Sequence, residues 1–160
     1  MNLISFRKVK EEDKEWIDEF ISNHWGSKFI VVHGWRYFPS DLPGFIAENS
    51  SGKVGLITYH IENSKCEIVT LNSIIEHKGI GTKLMKLVEE EAAINKCKSV
   101  WLITTNDNIN AIRFYQRICY RITKIHLDAV AKSRELKPEI PMIGENGIPI
   151  LDELEFVKYI

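Results

Sequence analysis

The chain has 160 residues, of which 44% are hydrophobic and 27% are charged, so its composition excludes a disordered or fibrous protein. Its 21 Lys and Arg and 22 Asp and Glu leave a formal charge of -1, which provides no net basic field to attract nucleic acid or an anionic membrane. The length is typical of one domain, and we expect a single domain over residues 1–160.

The cysteines and histidines do not indicate a metal or disulfide-rich protein. Cys66, Cys97 and Cys119 are widely spaced and include no CxxC pair, and the histidines lack ligand spacing such as HExxH, so we expect no metal. No segment approaches the ~18 apolar residues of a membrane span. We therefore expect a cytoplasmic protein that does not contact a membrane.

The first half of the chain predicts a strand, a helix and an antiparallel meander. Apolar residues over Ile4–Val9 indicate a strand, and the amphipathic pattern over Glu11–Trp25 indicates a helix. Residues 28–43 contain a candidate strand followed by Gly and Pro, and we interpret them as a loop-rich segment, here called the flap. Three β-rich runs separated by turn residues then predict the meander, and they are Gly44–Ala47, Val54–Ile61 and Cys66–Leu71.

The second half alternates between helical and extended patterns. Ile80–Asn95 and Asn110–Arg117 have apolar residues at helical spacing. Val100–Ile103 is continuously apolar, as in a strand covered on both faces, and Tyr120–Leu127 and Leu154–Tyr159 are further predicted strands. This order predicts an α/β fold with a central mixed sheet and helices on both faces.

A glycine-containing turn lies between the meander and the first of these helices. Gly79 and Gly81 have no side chain that would keep a ligand away from the backbone. The free N–H groups at the start of the following helix can bind phosphate. The Walker spacing GxxxxGK[ST] is absent, and Leu84 replaces the third glycine of GxGxxG, which argues against a nucleotide-binding protein. The alternative is that both glycines only shape a tight turn.

Two blocks of the sequence resemble the Gcn5-related N-acetyltransferase (GNAT) family. Residues 76–81, EHKGIG, are similar to the family's pyrophosphate loop [RQ]xxGx[GA], except that Glu76 replaces Arg or Gln. Residues 104–120, TTNDNINAIRFYQRICY, are similar to the segment NxxAxxFYxxxGF. Cys119-Tyr120 replaces the closing Gly-Phe, so we expect a different helix cap there.

The resemblance implies a GNAT-like fold, in which an N-terminal antiparallel meander leads into parallel strands that splay apart. It also implies direct transfer of the acetyl group of acetyl-CoA to a primary amine of a small molecule or peptide in a ternary complex, and it allows a homodimer. The positions that we expect to contact acetyl-CoA are Leu71, Ser73, His77, Lys78, Gly79, Ile80, Gly81, Thr82 and Asn108. Asn108 is expected to bond the pantetheine arm, to cap the following helix, or both.

Acetyl transfer requires a base, because an alkylammonium with a pKa of about 10.4 is protonated at neutral pH. Glu67 is our first candidate, since we predict that it shares a strand face with Val69 and Leu71. His60 and Glu62 are second choices. The alternative for Glu67, with equal weight, is a solvated charge on a strand.

The later steps require an oxyanion site and an acid. A β-bulge near Leu71–Ser73 is expected to free a backbone N–H for the thioester oxygen. Tyr115 fills the family position of the acid that protonates the CoA thiolate, and its alternative is a buried aromatic residue on an amphipathic helix.

Two further interpretations stay open. An aromatic group in and beside the flap forms either one wall of the acceptor pocket or ordinary packing, and it consists of Trp25, Trp35, Tyr37 and Phe38. Because Glu76 departs from the family pattern, a non-catalytic module that binds acyl-CoA is the alternative to an enzyme.

Overall fold

A seven-stranded mixed sheet forms the centre of the computed structural model, which describes residues 3–160. The strands, in chain order, are β1 (Ser5–Lys8), β2 (Ile30–Val32), β3 (Trp35–Tyr37), β4 (Gly44–Asn49), β5 (Gly52–Glu62), β6 (Lys65–Ser73), β7 (Ser99–Thr105), β8 (Arg121–His126) and β9 (Glu153–Tyr159). The helices are α1 (Lys14–Trp25), α2 (Ile80–Ile94), α3 (Ile109–Arg117) and α4 (Ala129–Leu136). The strand order in the sheet is β1-β4-β5-β6-β7-β9-β8, while β2 and β3 form a separate hairpin.

The sheet changes from antiparallel to parallel at its centre. Strands β4, β5 and β6 form the predicted antiparallel meander. Strand β7 runs parallel to β6, but the pairing covers only Lys65–Glu67 and Ser99–Trp101. Beyond these residues the two described strands share no register, which confirms the predicted splay. The last strand, β9, lies antiparallel between β7 and β8.

A β-bulge lies at Val69 rather than at the predicted Leu71–Ser73. Thr58 pairs with Thr70, but the next residue of β5 pairs with Ile68, so Val69 is the extra residue. The buried hydroxyls of Thr58 and Thr70 are 2.7 Å apart and hydrogen-bonded, which holds the register on the far side of the bulge. Leu71–Ser73 is therefore in regular register.

The bulge also changes which residues of β6 share a face. Val69 packs beneath α1, whereas Leu71 packs in the cluster beneath α2. Cys66 and Ile68 belong to that second cluster as well, so alternation places Glu67 on the α1 face. The prediction that Glu67 and Leu71 share a face is wrong, because the extra residue reverses the alternation between them.

Helices cover both faces of the sheet, as predicted. On one face, α1 packs on β4, β5 and β6 through a cluster that includes Ile17, Phe20, Ile21, Ile46, Leu56 and Val69. On the other face, α2 and α3 pack over a larger cluster that includes Leu84, Val88, Ile57, Leu102, Tyr115 and Phe156. Gly55 on β5 permits this contact, since a Cβ there would lie 2.9 Å from Cγ2 of Ile80.

Helix α4 and the β2–β3 hairpin were not predicted. Only Val130 and Ser133 are buried in α4. Because one of these two residues is a serine, the sequence of α4 shows little of the apolar periodicity that predicts a helix. The flap contains β2, β3 and the turn at His33 and Gly34, and is therefore partly a hairpin rather than loop throughout. The side chain of Lys137, just after α4, donates to the carbonyl of Phe29 at 3.0 Å, which ties the flap to the C-terminal region.

Helix α3 ends in the left-handed turn that glycine usually forms. Cys119 has a φ of 72°, its N–H donates to Gln116 O at 3.1 Å, and the N–H of Tyr120 donates to Tyr115 O at 2.9 Å. These bonds form a Schellman cap. The prediction of a different cap is therefore wrong, because Cys119 adopts the conformation of the glycine that it replaces.

Candidate active site

The separation of β6 from β7 leaves one side of β6 facing a gap. The N–H of Ile74 donates to the carbonyl of Val54 at 2.9 Å, so these opposite residues form a hydrogen-bonded pair. Because such pairs alternate with non-hydrogen-bonded pairs, Leu71 and Ser73 direct their backbone N–H and C=O away from β5. The structure thus places the backbone groups of both predicted positions on the gap side.

The loop that follows β6 ends at the exposed start of α2. Gly79 is the N-cap, with a φ of 70°, and no side chain caps the helix. The first bond of the helix runs from Lys83 N–H to Gly79 O at 3.0 Å, so the N–H groups of residues 80–82 have no acceptor within the helix. A Cβ on Gly79 would meet nothing within 4 Å, which shows open space at this helix start.

The side chains around this loop do not cap the start of α2. The hydroxyl of Ser73 donates to the carbonyl of Ile75 at 2.8 Å, which fixes the turn out of β6. Glu76 and His77 are exposed and 3.7 Å apart, and Lys78 is exposed as well. The first turn of α2 contains no acidic residue, so nothing in it opposes an anion electrostatically.

The second block of family-like sequence lies beside the first. Asn108 caps α3, with its side-chain oxygen accepting a bond from Ala111 N–H at 3.2 Å, so its predicted capping role is confirmed. A Cβ on Gly81 would lie 3.4 Å from Cζ of Phe114, which places the start of α2 against α3 at Phe114. Both helices follow the C-terminal ends of the two splayed parallel strands, the usual position of ligand sites in such sheets.

Tyr115 lies within the apolar cluster on the α2 face. Its side chain is buried, with ring centroids 5.7 Å from Phe156 and 6.1 Å from Tyr120. Burial raises its pKa above the ordinary value of a phenol, so the hydroxyl holds its proton at neutral pH. Tyr115 is thus a buried aromatic residue, and its role as an acid stays a prediction.

Glu67 lies on the opposite face and is buried, being only 6% exposed. The alternative of a solvated strand charge is therefore wrong. One carboxylate oxygen accepts a bond from the hydroxyl of Tyr37 at 2.8 Å. Burial is the main cause that raises the pKa of Glu67, and the hydrogen bond from Tyr37 and the charge of His60 partly offset it.

A cavity of about 210 Å³ adjoins Glu67 on the α1 face. The second-choice bases also line it, and its walls are His60, Glu62, Asn63, Lys65, Glu67 and Trp101. Glu67 and Tyr115 therefore approach the sheet from opposite sides. The gap between β6 and β7 begins just after Glu67.

Two of the four aromatic residues that were considered for the acceptor wall form hydrogen bonds to side chains of β6. The indole N–H of Trp25 donates to the side-chain oxygen of Asn72 at 3.3 Å, and Tyr37 bonds Glu67. Trp35 is 70% exposed, and Phe38 packs near Phe29 with ring centroids 5.9 Å apart. Their role as an acceptor wall stays a prediction.

Two acidic residues of β9 were missed by the sequence analysis. Glu153 is 3% exposed and accepts a bond from the backbone N–H of His33 at 3.1 Å, while Glu155 is bonded to His126 at 3.1 Å. Burial raises the pKa of Glu153. The alternation of Glu with Leu and Phe along ELEF was the signal that could have placed both acids on one face.

Residues 3–160 contain no group of three or more His, Cys, Asp and Glu positioned to hold a metal ion. No helix among the same residues has the length and apolar character needed to cross a membrane.

Two proteins of Bacillus subtilis are similar in sequence to this chain. The chain is 47% identical over 148 residues to the uncharacterized protein YdhI of Bacillus subtilis, covering 92% of each chain. It is also 30% identical over 95 residues to the spermine/spermidine N(1)-acetyltransferase of Bacillus subtilis, covering 53% of this chain and 56% of that protein.

The fold is also found in solved structures. A GNAT family acetyltransferase of Elizabethkingia anophelis with acetyl-CoA bound superposes with a TM-score of 0.67 at 19% identity, and the match covers 98% of both chains. A family model described as acetyltransferase (GNAT) family matches residues 9–119, more than half of the chain. From this match, and from the splayed strands and exposed helix start that accompany it, the chain belongs to the GNAT acetyltransferase family.

Proposed function

We propose that this protein is an N-acetyltransferase that moves the acetyl group of acetyl-CoA directly to a primary amine in a ternary complex. The observation that carries the proposal is the gap between β6 and β7, which has an uncapped helix start at its end, a buried carboxylate on one face and a buried phenol on the other. The acetyl-CoA bound to a GNAT neighbour of the same fold supports this assignment.

Acetyl-CoA is assigned to the gap through backbone groups. The diphosphate would accept bonds from the free N–H groups at the start of α2 and from the loop His77–Gly79, with Lys78 adding charge. The pantetheine arm would pair with the open edge of β6 at Leu71 and Ser73, as an added strand does. Asn108 is proposed to contact the same arm from the start of α3.

The amine must lose a proton before it attacks. Glu67 is proposed to accept this proton, directly or through water, because its buried carboxylate has a raised pKa and lies beside a cavity on the α1 face. The hydroxyl of Tyr37 orients the carboxylate through its hydrogen bond. The amine nitrogen then bonds to the thioester carbon, the carbonyl electron pair moves to oxygen, and the attached nitrogen, now positively charged, releases its extra proton to solvent.

Backbone N–H groups at the edge of β6 are proposed to stabilise the resulting oxyanion. When the intermediate collapses, the C–S bond breaks and its electron pair stays on sulfur. Tyr115 donates its proton to this sulfur and regains one from solvent afterwards. Its buried, protonated phenol is suited to that step.

A module that binds acyl-CoA without catalysis is the second candidate, because Glu76 places a negative charge beside the diphosphate site. Measuring CoA release with a panel of amines distinguishes the two. The panel comprises polyamines, amino acids, aminoglycosides and peptide N-termini. Polyamines are included because the spermine/spermidine N(1)-acetyltransferase of Bacillus subtilis is similar to about half of this chain. We expect CoA release with at least one amine, whereas thermal stabilisation by acetyl-CoA without any CoA release would identify the non-catalytic module.

Gly79→Ala tests the diphosphate site. Its Cβ would meet no protein atom within 4 Å but would project into the space assigned to the ligand, so we expect the Kd of acetyl-CoA to rise at least about tenfold by calorimetry. Gly147→Ala is the matched control, because Gly147 also has a positive φ, 72°, and open space around it. An equal Kd for the two variants would contradict the site.

Tyr115→Phe tests the acid. We expect kcat to fall at least about tenfold, while the Kd of acetyl-CoA stays within about twofold, since only the proton donor is lost. Tyr120→Phe is the control, because it removes a buried hydroxyl on the same face that bonds Glu89 at 3.0 Å. Unchanged turnover in Tyr115→Phe would remove this residue from the mechanism.

The pH profile of kcat/KM tests Glu67. A base acts when it is deprotonated, so activity should fall as the pH drops through the raised pKa of Glu67. Tyr37→Phe removes a hydrogen bond that lowers this pKa, and we expect the acidic limb to move to higher pH. Glu67→Gln should lower kcat at least about tenfold and abolish that limb.

Trp35→Phe changes an exposed residue of the same hairpin and serves as the control for both variants. An acidic limb that is the same in wild type, Tyr37→Phe and Glu67→Gln would show that another group is the base.

A further inference from the structure

The β2–β3 hairpin depends on the rest of the protein for its position. It has three residue pairs and forms a two-stranded sheet of its own, outside the seven-stranded sheet. A two-stranded hairpin alone is at best marginally stable in water. Ile30 and Tyr37 contribute to the apolar cluster beneath α1, but apolar burial has no preferred direction. Hydrogen bonds from other parts of the chain are therefore what can fix the orientation of the hairpin.

Lys137 forms such a bond at the open end of the hairpin, which is the end at the Ile30–Tyr37 pair. Its ammonium group donates to the carbonyl of Phe29 at 3.0 Å and lies 5.3 Å from the centroid of the Phe29 ring. Phe29 directly precedes β2, whose first residue, Ile30, pairs with Tyr37 of β3. The bond therefore acts one residue away from the strand partner of Tyr37.

The group that forms this bond is a buried charge. Lys137 is 4% exposed, and among residues 3–160 it forms no ion pair. Burial lowers its pKa, and the charge of Glu139 partly offsets this effect. A buried ammonium group without a carboxylate partner is costly. What it contributes in return is a directed hydrogen bond to the hairpin.

A second hydrogen bond holds the other end of the hairpin. The backbone N–H of His33, in the turn, donates to a carboxylate oxygen of Glu153 at 3.1 Å. This bond fixes the turn against β9, but a single fixed point leaves the open end free to rotate about it. The bond from Lys137 removes that freedom.

The open end also contacts the proposed base. The hydroxyl of Tyr37 donates to the carboxylate of Glu67 at 2.8 Å. Burial raises the pKa of Glu67, and this hydrogen bond lowers it. Because a displacement of about 1 Å is enough to break a hydrogen bond, the contact requires the open end of the hairpin to stay in place.

We propose that Lys137 is a positioning residue for the base, since its bond to Phe29 holds the hairpin where the hydroxyl of Tyr37 meets the carboxylate of Glu67. This inference rests on the proposed function, in which Glu67 accepts the proton of the amine. Lys137 bonds Phe29 and not Glu67, so it acts on the base only through the hairpin.

A double-mutant cycle on the pKa of Glu67 tests the proposal. The pKa is measured by NMR from the carboxyl carbon of glutamate labelled with carbon-13. Tyr37→Phe removes a hydrogen bond that favours the charged carboxylate, so we expect this pKa to rise. In the Lys137→Met background, Tyr37→Phe should give less than about half of that rise, because the released hairpin has already weakened the bond, whereas independent effects would add.

Lys132→Met is the matched control for Lys137→Met. Lys132 is an exposed residue of α4 that lies beside the turn of the hairpin, where a Cβ on Gly34 would be 3.2 Å from Cε of Lys132. Among residues 3–160 its side chain forms no hydrogen bond or ion pair. We expect Tyr37→Phe to keep its full effect in this background.

Lys137→Gln provides the conservative variant, because its amide is a shorter, neutral N–H donor. The effect of Tyr37→Phe in this background should fall between its effects in the wild-type and Lys137→Met proteins. We expect Lys137→Met to fold, since an apolar side chain of similar length suits a buried position. Should it not fold, a full effect of Tyr37→Phe in Lys137→Gln would overturn the proposal.

Other charged groups near Glu67 and Lys137 are the same in all of these proteins, namely His60, Glu62, Lys65, Glu155, Arg36 and Glu139. An equal effect of Tyr37→Phe in the wild-type and Lys137→Met backgrounds would overturn the positioning role. The NMR measurement requires no amine and no turnover, so it decides this inference by itself. An acidic limb of kcat/KM that persists in Glu67→Gln, or CoA release with none of the amines, would instead contradict the proposed function.

Discussion

The separation of β6 from β7 after three paired residues is the constraint on which the rest of the site depends. Strand β7 pairs with β9 over its whole length, Ser99–Thr105, so it is held on its other side while β6 diverges. The bulge at Val69 bends β6 at this point, and the bonded pair of Thr58 and Thr70 fixes the register beyond it. The edge of β6 is left with backbone groups that require partners, and an extended ligand can provide them.

The two faces of the sheet give the two sides of the gap different chemical properties. On the α2 face, apolar packing surrounds Tyr115, and desolvation favours its neutral, protonated form. On the α1 face, carboxylates occupy the positions that alternate with core residues, as Glu155 does beside Phe156. On this face burial raises the pKa of Glu67, while the hydrogen bond from Tyr37 and the charge of His60 lower it. The proposed acid, Tyr115, and the proposed base, Glu67, therefore lie on opposite faces and need not exchange their proton directly.

Most elements of the fold could be predicted, because each has a local signal such as apolar period or turn residues. The start of α2 and the cap at Asn108 were found because Gly and Asn act on the backbone of their own segment, Gly79 by its conformation and Asn108 by its side-chain oxygen. The bulge at Val69 could not be found, since every residue around it suits a regular strand. Glu67 could not be recognised as buried, because the flap that covers it comes from a segment 30 residues earlier in the chain. Helix α4 was missed because its buried stripe is too short and contains Ser133.

The substitution of Glu76 at the start of the loop is tolerable for a physical reason. Its side chain is 86% exposed and lies 3.7 Å from the ring of His77, so water and salt screen its charge, and an exposed charge contributes at most about 1 kcal/mol. The N–H groups at the start of α2 are fixed by the backbone, and their direction does not depend on residue 76. If the diphosphate is held mainly by these groups, a departure from the family pattern at Glu76 changes affinity by a screened interaction and leaves the geometry of binding intact.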